Sequence, residues 1–195
     1  QREAEAIGHA ATELGIAVHL DGARLINAAV ASDRAVADLA APATSLSICL
    51  SKGLGAPAGS VLAGPAPFIE RSKRLRKMFG GAMRQIGILA AAGLYALEHN
   101  ISRMGDDHRH AGILVKGLEK IAGLDFDATS GKTNMVFFDL QESPLTVDGF
   151  LSRCKEQGLL LCPFGGRRIR AVTHLDISAD DCERALGIIE RVLQQ

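Results

Sequence analysis

The residue best suited to chemistry is a lysine between a strand-like segment and a glycine-rich turn. Lys52 follows the segment 45–50 and precedes Gly-Leu-Gly-Ala-Pro at 53–57. Burial at a strand end favours the neutral form of its amine, which is the nucleophile that reacts with an aldehyde. The order of residues excludes a P-loop, in which the glycines come first and a Ser or Thr follows the lysine. On spacing alone, a surface lysine in a turn explains the segment equally well.

A carboxylate is predicted at the end of an earlier strand. In His-Leu-Asp-Gly-Ala-Arg at 19–24, strand alternation places His19 and Asp21 on one face. Open α/β sheets bind their ligands at the carboxyl ends of strands, where a carboxylate can hold a proton on a heteroaromatic nitrogen. Two structural alternatives remain: Asp-Gly is a common turn dipeptide, and Asp21 could form a local ion pair with Arg24.

Two arginine-containing segments are candidates for binding anions. Gly-Gly at 80–81 precedes Arg84 at a predicted helix start, where backbone N–H groups and a guanidinium can point together. An ordinary junction between a loop and a helix explains this segment as well. Arg168 and Arg170 alternate with apolar residues and so share one strand face, from which an arginine can bind a carboxylate through two hydrogen bonds. The alternative is the polar outer face of an edge strand.

The elements that would carry these residues alternate between helix and strand in the first half. Apolar spacing and turn residues predict helices at 2–14 and 67–76 and strands at 16–20, 45–50 and 60–63. This order is typical of βαβ units and a mainly parallel sheet. Helices follow from 84 to about 123. The apolar run 86–97 is expected to form a helix buried on most sides, and it is too short to span a membrane.

The rest of the chain is predicted to form a small α/β unit. Strands are expected at 134–140, 159–162 and 169–173, and helices after Thr146 or Asp148 and after the capping residue Ser178. The fold class is therefore α/β. The expected domains are residues 1–103 and residues 104–195, the second beginning with a linking helix.

Composition excludes several classes of partner. Lys+Arg and Asp+Glu both number 22, so no net field attracts nucleic acid or an anionic membrane. The four cysteines include no CxxC pair, and we therefore expect no zinc or other metal site. Scattered free thiols are typical of an intracellular protein. The chain starts at Gln1, within a predicted helix, which suggests a fragment or a processed product.

Four segments, in this order, resemble the threonine aldolases, which are pyridoxal-phosphate (PLP) enzymes of fold type I. They are His-Leu-Asp-Gly-Ala-Arg at 19–24, Cys-Leu-Ser-Lys-Gly-Leu-Gly-Ala-Pro at 49–57, Gly-Gly-Ala-Met-Arg-Gln at 80–85 and Val-Thr-His-Leu-Asp at 172–176. The similarity covers essentially the whole chain. It implies that residues 1–103 are the C-terminal portion of an incomplete PLP-transferase-like large domain, with helices and a mostly parallel sheet. Residues 104–195 would then hold a small C-terminal α/β domain.

The resemblance also implies roles for individual residues. Lys52 would match the lysine that binds PLP covalently, and Asp21 the aspartate that pairs with the pyridine nitrogen. Arg24 would lie beside the cofactor and the substrate carboxylate. Arg84 would contact the cofactor region, at its phosphate or across a dimer interface, and Arg170 would bind the amino-acid carboxylate.

The activity implied by the resemblance is cleavage of the Cα–Cβ bond of L-threonine or L-allo-threonine to glycine and an aldehyde. It places the protein in amino-acid metabolism, that is, threonine catabolism and glycine biosynthesis. It further implies a homo-oligomer, dimeric or tetrameric, and a cytoplasmic location, with the mitochondrion left open.

The chain departs from the resemblance at two points. Threonine aldolases are considerably longer at the N-terminus, where they carry a histidine that stacks on the ring and much of the phosphate site. Ala82 also stands where the family more often has a third glycine. Two alternatives therefore stay open. One is an inactive, truncated relative, and the other is a different fold-type-I PLP enzyme, namely an aminotransferase or a β-eliminating lyase.

Overall fold

The computed structural model describes residues 2–126, 130–141 and 145–194. It divides into two compact units, Gln1–Arg103 and Met104–Gln195. The first unit contains five helices and three strands within its described residues: α1 Arg2–Glu13, β1 His19–Asp21, α2 Leu25–Ser32, α3 Val36–Ala40, β2 Ser45–Cys49, β3 Ser60–Ala63, α4 Ala66–Met78 and α5 Gly87–His99. The assignment of this unit to a cofactor-binding domain stays a prediction.

The sheet of the first unit has the order β1-β2-β3. β1 and β2 run parallel, with Asp21 opposite Ser47. β3 runs antiparallel to β2, with Cys49 opposite Ser60. Ten residues join these two strands without a crossover helix, so the chain turns back on itself. The parallel character expected for this sheet thus belongs to the β1–β2 pair.

Helix α2, near the start of the first unit, was not predicted from the sequence. Its buried residues Leu25, Ile26 and Ala29 form one apolar stripe. The helix ends at Asp33, which adopts a left-handed conformation with φ 52° and donates its N–H to the Ala29 carbonyl. The helix begins directly after the 19–24 segment, with Arg24 as its N-cap residue.

Helix α5 contradicts the expectation of a helix buried on most sides. Only Gly93 and Ala96 are buried, whereas Ile88 is 78% exposed, Leu94 60% and Tyr95 61%. A Cβ added at Gly93 would lie 3.0 Å from the Leu50 side chain, so the small-residue side is the packed one. An all-round apolar helix buries only the side that a neighbouring element covers, and sequence alone does not reveal which side that is.

The second unit contains three helices and four strands within the part of the chain that the structure describes: α6 Met104–Leu118, β4 Leu124–Phe126, β5 Met135–Leu140, α7 Val147–Glu156, β6 Cys162–Pro163, β7 Arg168–Val172 and α8 Ala179–Leu193. The sheet order is β4-β5-β7-β6 and all three pairings are antiparallel. The sequence missed the short strand β4. It also placed a strand at 159–162 that begins only at Cys162.

The late start of β6 has a local cause. Gly158 has φ 86°, and the N–H of Leu159 still donates to the carbonyl of Cys154 in α7. This arrangement closes the helix and uses residues that the sequence assigned to a strand.

One face of the second sheet forms the core of its unit. Val136, Phe138 and Leu140 of β5 and Ile169 and Ala171 of β7 are buried together with side chains of α6, α7 and α8. The alternate residues of these strands face the opposite side, and among them Arg168 and Arg170 are half-buried. The second sheet therefore positions both arginines on its open face.

The described part of the chain contains no helix that is long and apolar enough to cross a bilayer.

Candidate functional site

Lys52 and Asp21 lie at the same edge of the first sheet. Asp21 is the last residue of β1, and Lys52 comes three residues after the end of β2, its parallel neighbour. The carboxyl ends of parallel strands lie along the same edge of the sheet, and α/β sheets bind ligands at these strand ends. The fold therefore brings the predicted amine and the predicted carboxylate to the same edge.

The backbone around Lys52 is held by neighbours on several sides. Its carbonyl accepts the N–H of Gly55 at 2.8 Å, and Asn100 donates to the carbonyl of the buried Leu54 at 2.7 Å. Gly53 is so close to α2 that a Cβ there would lie 2.5 Å from Oδ1 of Asn27. Lys52 itself is half-buried. Lys52 therefore differs from a solvent-exposed lysine in an ordinary turn, and its cofactor role stays a prediction.

Asn27 packs against the lysine turn and was not among the residues predicted from the sequence. Its side chain is 2% exposed on an otherwise apolar stretch of α2. A polar residue inside an apolar helical run is the signal that could have identified it, because buried amides occur where a partner is available.

The carboxylate of Asp21 is held by its own turn. Its Oδ1 accepts the N–H of Ala23 at 3.1 Å, so the turn interpretation is confirmed for this oxygen. Within the described residues, no ion pair joins Asp21 to Arg24, and that alternative is wrong. Asp21 is exposed, which leaves Oδ2 accessible to a ligand.

Arg24 follows Asp21 and stands at the N-cap position of α2. Its side chain makes no capping hydrogen bond, and its carbonyl accepts the N–H of Ala28 at 3.1 Å. Arg24 is half-buried at the start of the helix. It comes three residues after Asp21, which is compatible with an anion-binding role near the end of β1.

The glycine pair before Arg84 does not form the anion site that the sequence predicts. The N–H of Gly80 donates to the carbonyl of Lys77, and that of Gly81 donates to the carbonyl of Arg76 at 2.8 Å. Both amides close α4, and Gly80 has the left-handed φ of 76° that such a helix end needs. Arg84 is exposed and lies three residues before α5. Any anion binding there rests on the side chain alone.

The two arginines of β7 share a face, as predicted, but have different partners. Arg168 forms a two-point ion pair with Asp139, with distances of 2.9 to 3.3 Å. Nε of Arg170 is buried and has no acceptor within the described chain. Since β7 lies between β5 and β6, the alternative of an edge strand is wrong. Arg170 is thus the arginine of this strand that is available to a carboxylate ligand.

The two buried cysteines of the second unit, Cys154 and Cys182, are poorly suited to nucleophilic chemistry. All four are free thiols. Burial raises the pKa of the Cys154 thiol to about 11. Burial, with the nearby Asp181 and Glu183 carboxylates, raises the pKa of the Cys182 thiol to about 11 as well. A protonated thiol is a weak nucleophile. The described residues also contain no group of three or more side chains that could hold a metal ion.

Comparison with known proteins gives a consistent set of relatives. A family model described as beta-eliminating lyase matches residues 1–141. The chain is 40% identical over 190 residues to low-specificity L-threonine aldolase 1 of Arabidopsis thaliana, covering 97% of this chain and 53% of that protein. It is 40% identical over 168 residues to the low-specificity L-threonine aldolase of Escherichia coli K12, covering 86% and 48%. The chain thus spans about half the length of the curated relatives it matches.

Solved structures agree on the fold. A Listeria monocytogenes protein described as an L-allo-threonine aldolase superposes with a TM-score of 0.80 at 23% identity, over 98% of this chain and 56% of the other. The threonine aldolase of Leishmania major gives a TM-score of 0.73 at 20% identity over the same shares. These similarities confirm the predicted α/β fold class.

Proposed function

The chain belongs to the beta-eliminating lyase family, and on that basis we propose that it acts as a PLP-dependent threonine aldolase. The reaction is cleavage of the Cα–Cβ bond of L-threonine or L-allo-threonine to glycine and an aldehyde. The observation that carries this proposal is the common sheet edge of Lys52 and Asp21. An amine with a fixed backbone and a turn-held carboxylate are the two groups that this chemistry requires of the protein.

The residues present fit the cofactor in part. Lys52 supplies an amine, and the free oxygen of Asp21 supplies an acceptor for a protonated ring nitrogen. The glycine amides at 80–81 are already used within the protein, so they cannot hold the phosphate. Arg84 is the remaining candidate from the sequence for that anion, through its side chain. When bound, PLP supplies a protonated heteroaromatic ring that withdraws electrons from the bond being broken.

The side chains of this chain have the following proposed tasks. Lys52 binds the cofactor through Nζ, and Asp21 holds the proton on the ring nitrogen. Arg24 and Arg170 bind the carboxylate of the amino acid, because a guanidinium matches a carboxylate with two parallel hydrogen bonds. No residue of this chain is assigned as the base that takes the proton of the substrate hydroxyl.

We further propose that the protein is a homo-oligomer with an amino-acid substrate and a cytoplasmic location. The exposed apolar side chains of α5 support the oligomer, because patches of this kind mark interaction surfaces. The balance of 22 basic and 22 acidic residues means that two copies do not repel each other through net charge. The four free cysteines support a reducing compartment.

The proposal is tested by trapping the cofactor. The protein is incubated with PLP, reduced with borohydride and digested, and the modified peptide is mapped by mass spectrometry. We expect a pyridoxyl group on Lys52, which disappears in Lys52→Ala. The control variant Lys132→Ala removes an exposed lysine of the second unit and should leave the label unchanged. A label scattered over surface lysines would reject Lys52 as the cofactor residue and favour the inactive relative.

Activity separates the remaining alternatives. Glycine and an aldehyde from threonine indicate the aldolase, whereas a keto acid indicates an aminotransferase or a β-eliminating lyase. Asp21→Asn keeps the oxygen that accepts the Ala23 amide but removes the negative charge. We expect threonine cleavage to fall about tenfold to hundredfold, the range for loss of a charged hydrogen bond, while Lys52 is still labelled. Unchanged cleavage would argue against the role of Asp21.

A further inference from the structure

An aromatic ring covers the Arg170 guanidinium on the open face of the second sheet. Phe164 follows β6, and its N–H donates to the carbonyl of Arg168 at 2.8 Å. The Cζ atom of Arg170 lies 5.7 Å from the centre of the Phe164 ring. Phe137 of β5 supports this ring, with ring centres 4.8 Å apart and planes tilted by 56°. Three residues from three segments thus form one stack.

Phe164 contributes little to the core of its unit, since it is 53% exposed. Its contacts instead run along the sheet surface, to Phe137 and to Arg170. Strand register explains how the stack forms, because Arg170 pairs with Phe137 on one side and with Cys162 on the other. An exposed aromatic side chain with such specific neighbours is better explained by its effect on Arg170 than by stability.

The neighbouring arginine provides an internal comparison. Arg168 is held by the carboxylate of Asp139, which accepts hydrogen bonds from its Nε and Nη2. An aromatic face attracts the same cation electrostatically but accepts none of the N–H groups in their plane. The ring can therefore fix the position of Arg170 and still leave its donors for a ligand. The unpaired Nε of Arg170 agrees with this difference.

We propose that Phe164 is a positioning residue, which holds the Arg170 guanidinium in place to bind the carboxylate of the amino-acid substrate. This inference rests on the proposed function, in which Arg170 binds that carboxylate. It adds a residue that acts through Arg170 and does not itself touch the substrate.

The test measures the reaction of phenylglyoxal with arginine side chains in the full chain loaded with PLP. Peptide mapping gives the modification rate at Arg170, with Arg168 as the internal reference, over a range of L-threonine concentrations. The variants are Phe164→Leu, which keeps an apolar side chain, and Phe164→Tyr, which keeps the aromatic face. Phe79→Leu is the matched control, because it changes an exposed phenylalanine of the first unit. Thermal unfolding establishes that each variant is folded.

We expect threonine to protect Arg170 in the unsubstituted protein. In Phe164→Leu, the half-protecting concentration should rise about threefold to tenfold, the range for loss of one cation–π contact. Phe164→Tyr should restore it and Phe79→Leu should not change it. The inference would be overturned if Phe164→Leu had the same half-protecting concentration as the unsubstituted protein. It would also be overturned if this concentration rose as much in Phe164→Tyr as in Phe164→Leu.

The rate of phenylglyoxal modification at Arg170 in the absence of threonine separates this inference from the proposed function. Loss of the covering ring should raise the rate at Arg170 relative to Arg168 in Phe164→Leu. If threonine fails to protect the unsubstituted protein but this rate rises, the carboxylate role of Arg170 is wrong and the positioning contact stands. If neither effect is found, both are wrong. Should Phe164→Leu prove unfolded, Phe137→Leu removes the support of the ring and is expected to weaken protection in the same direction.

Discussion

At the residue scale, the candidate site depends on a glycine, because any larger residue at its position would force the backbone to shift. Gly22 follows Asp21, and a Cβ at this position would lie 2.8 Å from the backbone carbonyl oxygen of Ser47 in β2. A backbone atom cannot move aside as the end of a flexible side chain can. The Asp-Gly pair therefore brings the end of β1 against β2 and fixes where the Asp21 carboxylate lies.

We expect Gly22→Ala to destabilise the protein by about 1–3 kcal/mol, the usual cost of an overpacked contact. It should also reduce PLP labelling at Lys52, because the turn that carries Asp21 must shift. Urea unfolding and the borohydride assay measure the two effects. Gly87→Ala is the control, since a Cβ at the first residue of α5 meets nothing within 4 Å. Equal stability of the two variants would mean that the contact at Gly22 is easily relaxed.

At the scale of elements, the structure confirms the predicted cap of helix α8 at Ser178 and shows that it is a reciprocal capping box. The Ser178 side chain accepts the N–H of Asp181 at 3.2 Å, and Asp181 accepts the backbone N–H of Ser178 at 2.9 Å. Hydrogen bonds from the Ser178 hydroxyl and amide, together with Arg184, lower the pKa of the Asp181 carboxyl from 3.8 to about 2. The helix end is therefore linked to pH.

The sign of this linkage follows from the lowered pKa in the folded state. The contribution of Asp181 to stability is complete above pH 3.8, its ordinary pKa, and is lost as the pH falls towards about 2. We therefore expect the free energy of unfolding to fall less in Asp181→Asn than in the unsubstituted protein as the pH is lowered between these values. Urea unfolding measures this difference. Asp180→Asn changes another exposed carboxylate of the same turn and should keep the original pH dependence. If the free energy of unfolding changed with pH identically in all three proteins, the assignment of this pH dependence to Asp181 would be contradicted.

At the scale of the whole molecule, the exposed apolar residues of α5 are the surface on which we base the homo-oligomer. Ile88 and Tyr95 are two turns apart and so lie on the same side of the helix. A single apolar side chain on a surface is ordinary, whereas a row of them along one side of a helix calls for a partner. A second copy of the chain is the partner we propose.

We expect light scattering to give a mass of at least twice 20.6 kDa for the unsubstituted protein. Ile88→Glu should reduce this mass to that of one chain, because burying an unpaired carboxylate in an interface is unfavourable. Leu160→Glu introduces the same charge at an equally exposed apolar residue of the second unit, 76% against 78%, and should leave the mass unaltered. A monomeric unsubstituted protein would reject the oligomer.

Most of the elements, and the identity of the candidate residues, could be predicted from the sequence because both depend on neighbours along the chain. The cap at Ser178 needs only Asp181 three residues later, and the alternation at 168–172 already places two arginines on one face. The family strings around Asp21 and Lys52 are likewise local. Helix α2 and strand β4 were missed, since short elements leave weak periodic signals.

Tertiary structure decided what each candidate residue contacts. Strand register places Asp139 opposite Arg168 and Phe137 opposite Arg170, so one arginine is ion-paired and the other is covered by an aromatic ring. The glycines at 80–81 close α4 and do not form an anion site, because their amides reach carbonyls of the preceding helix. These outcomes depend on distances between segments far apart in the chain or on backbone angles. Such distances and angles are fixed only when the elements pack.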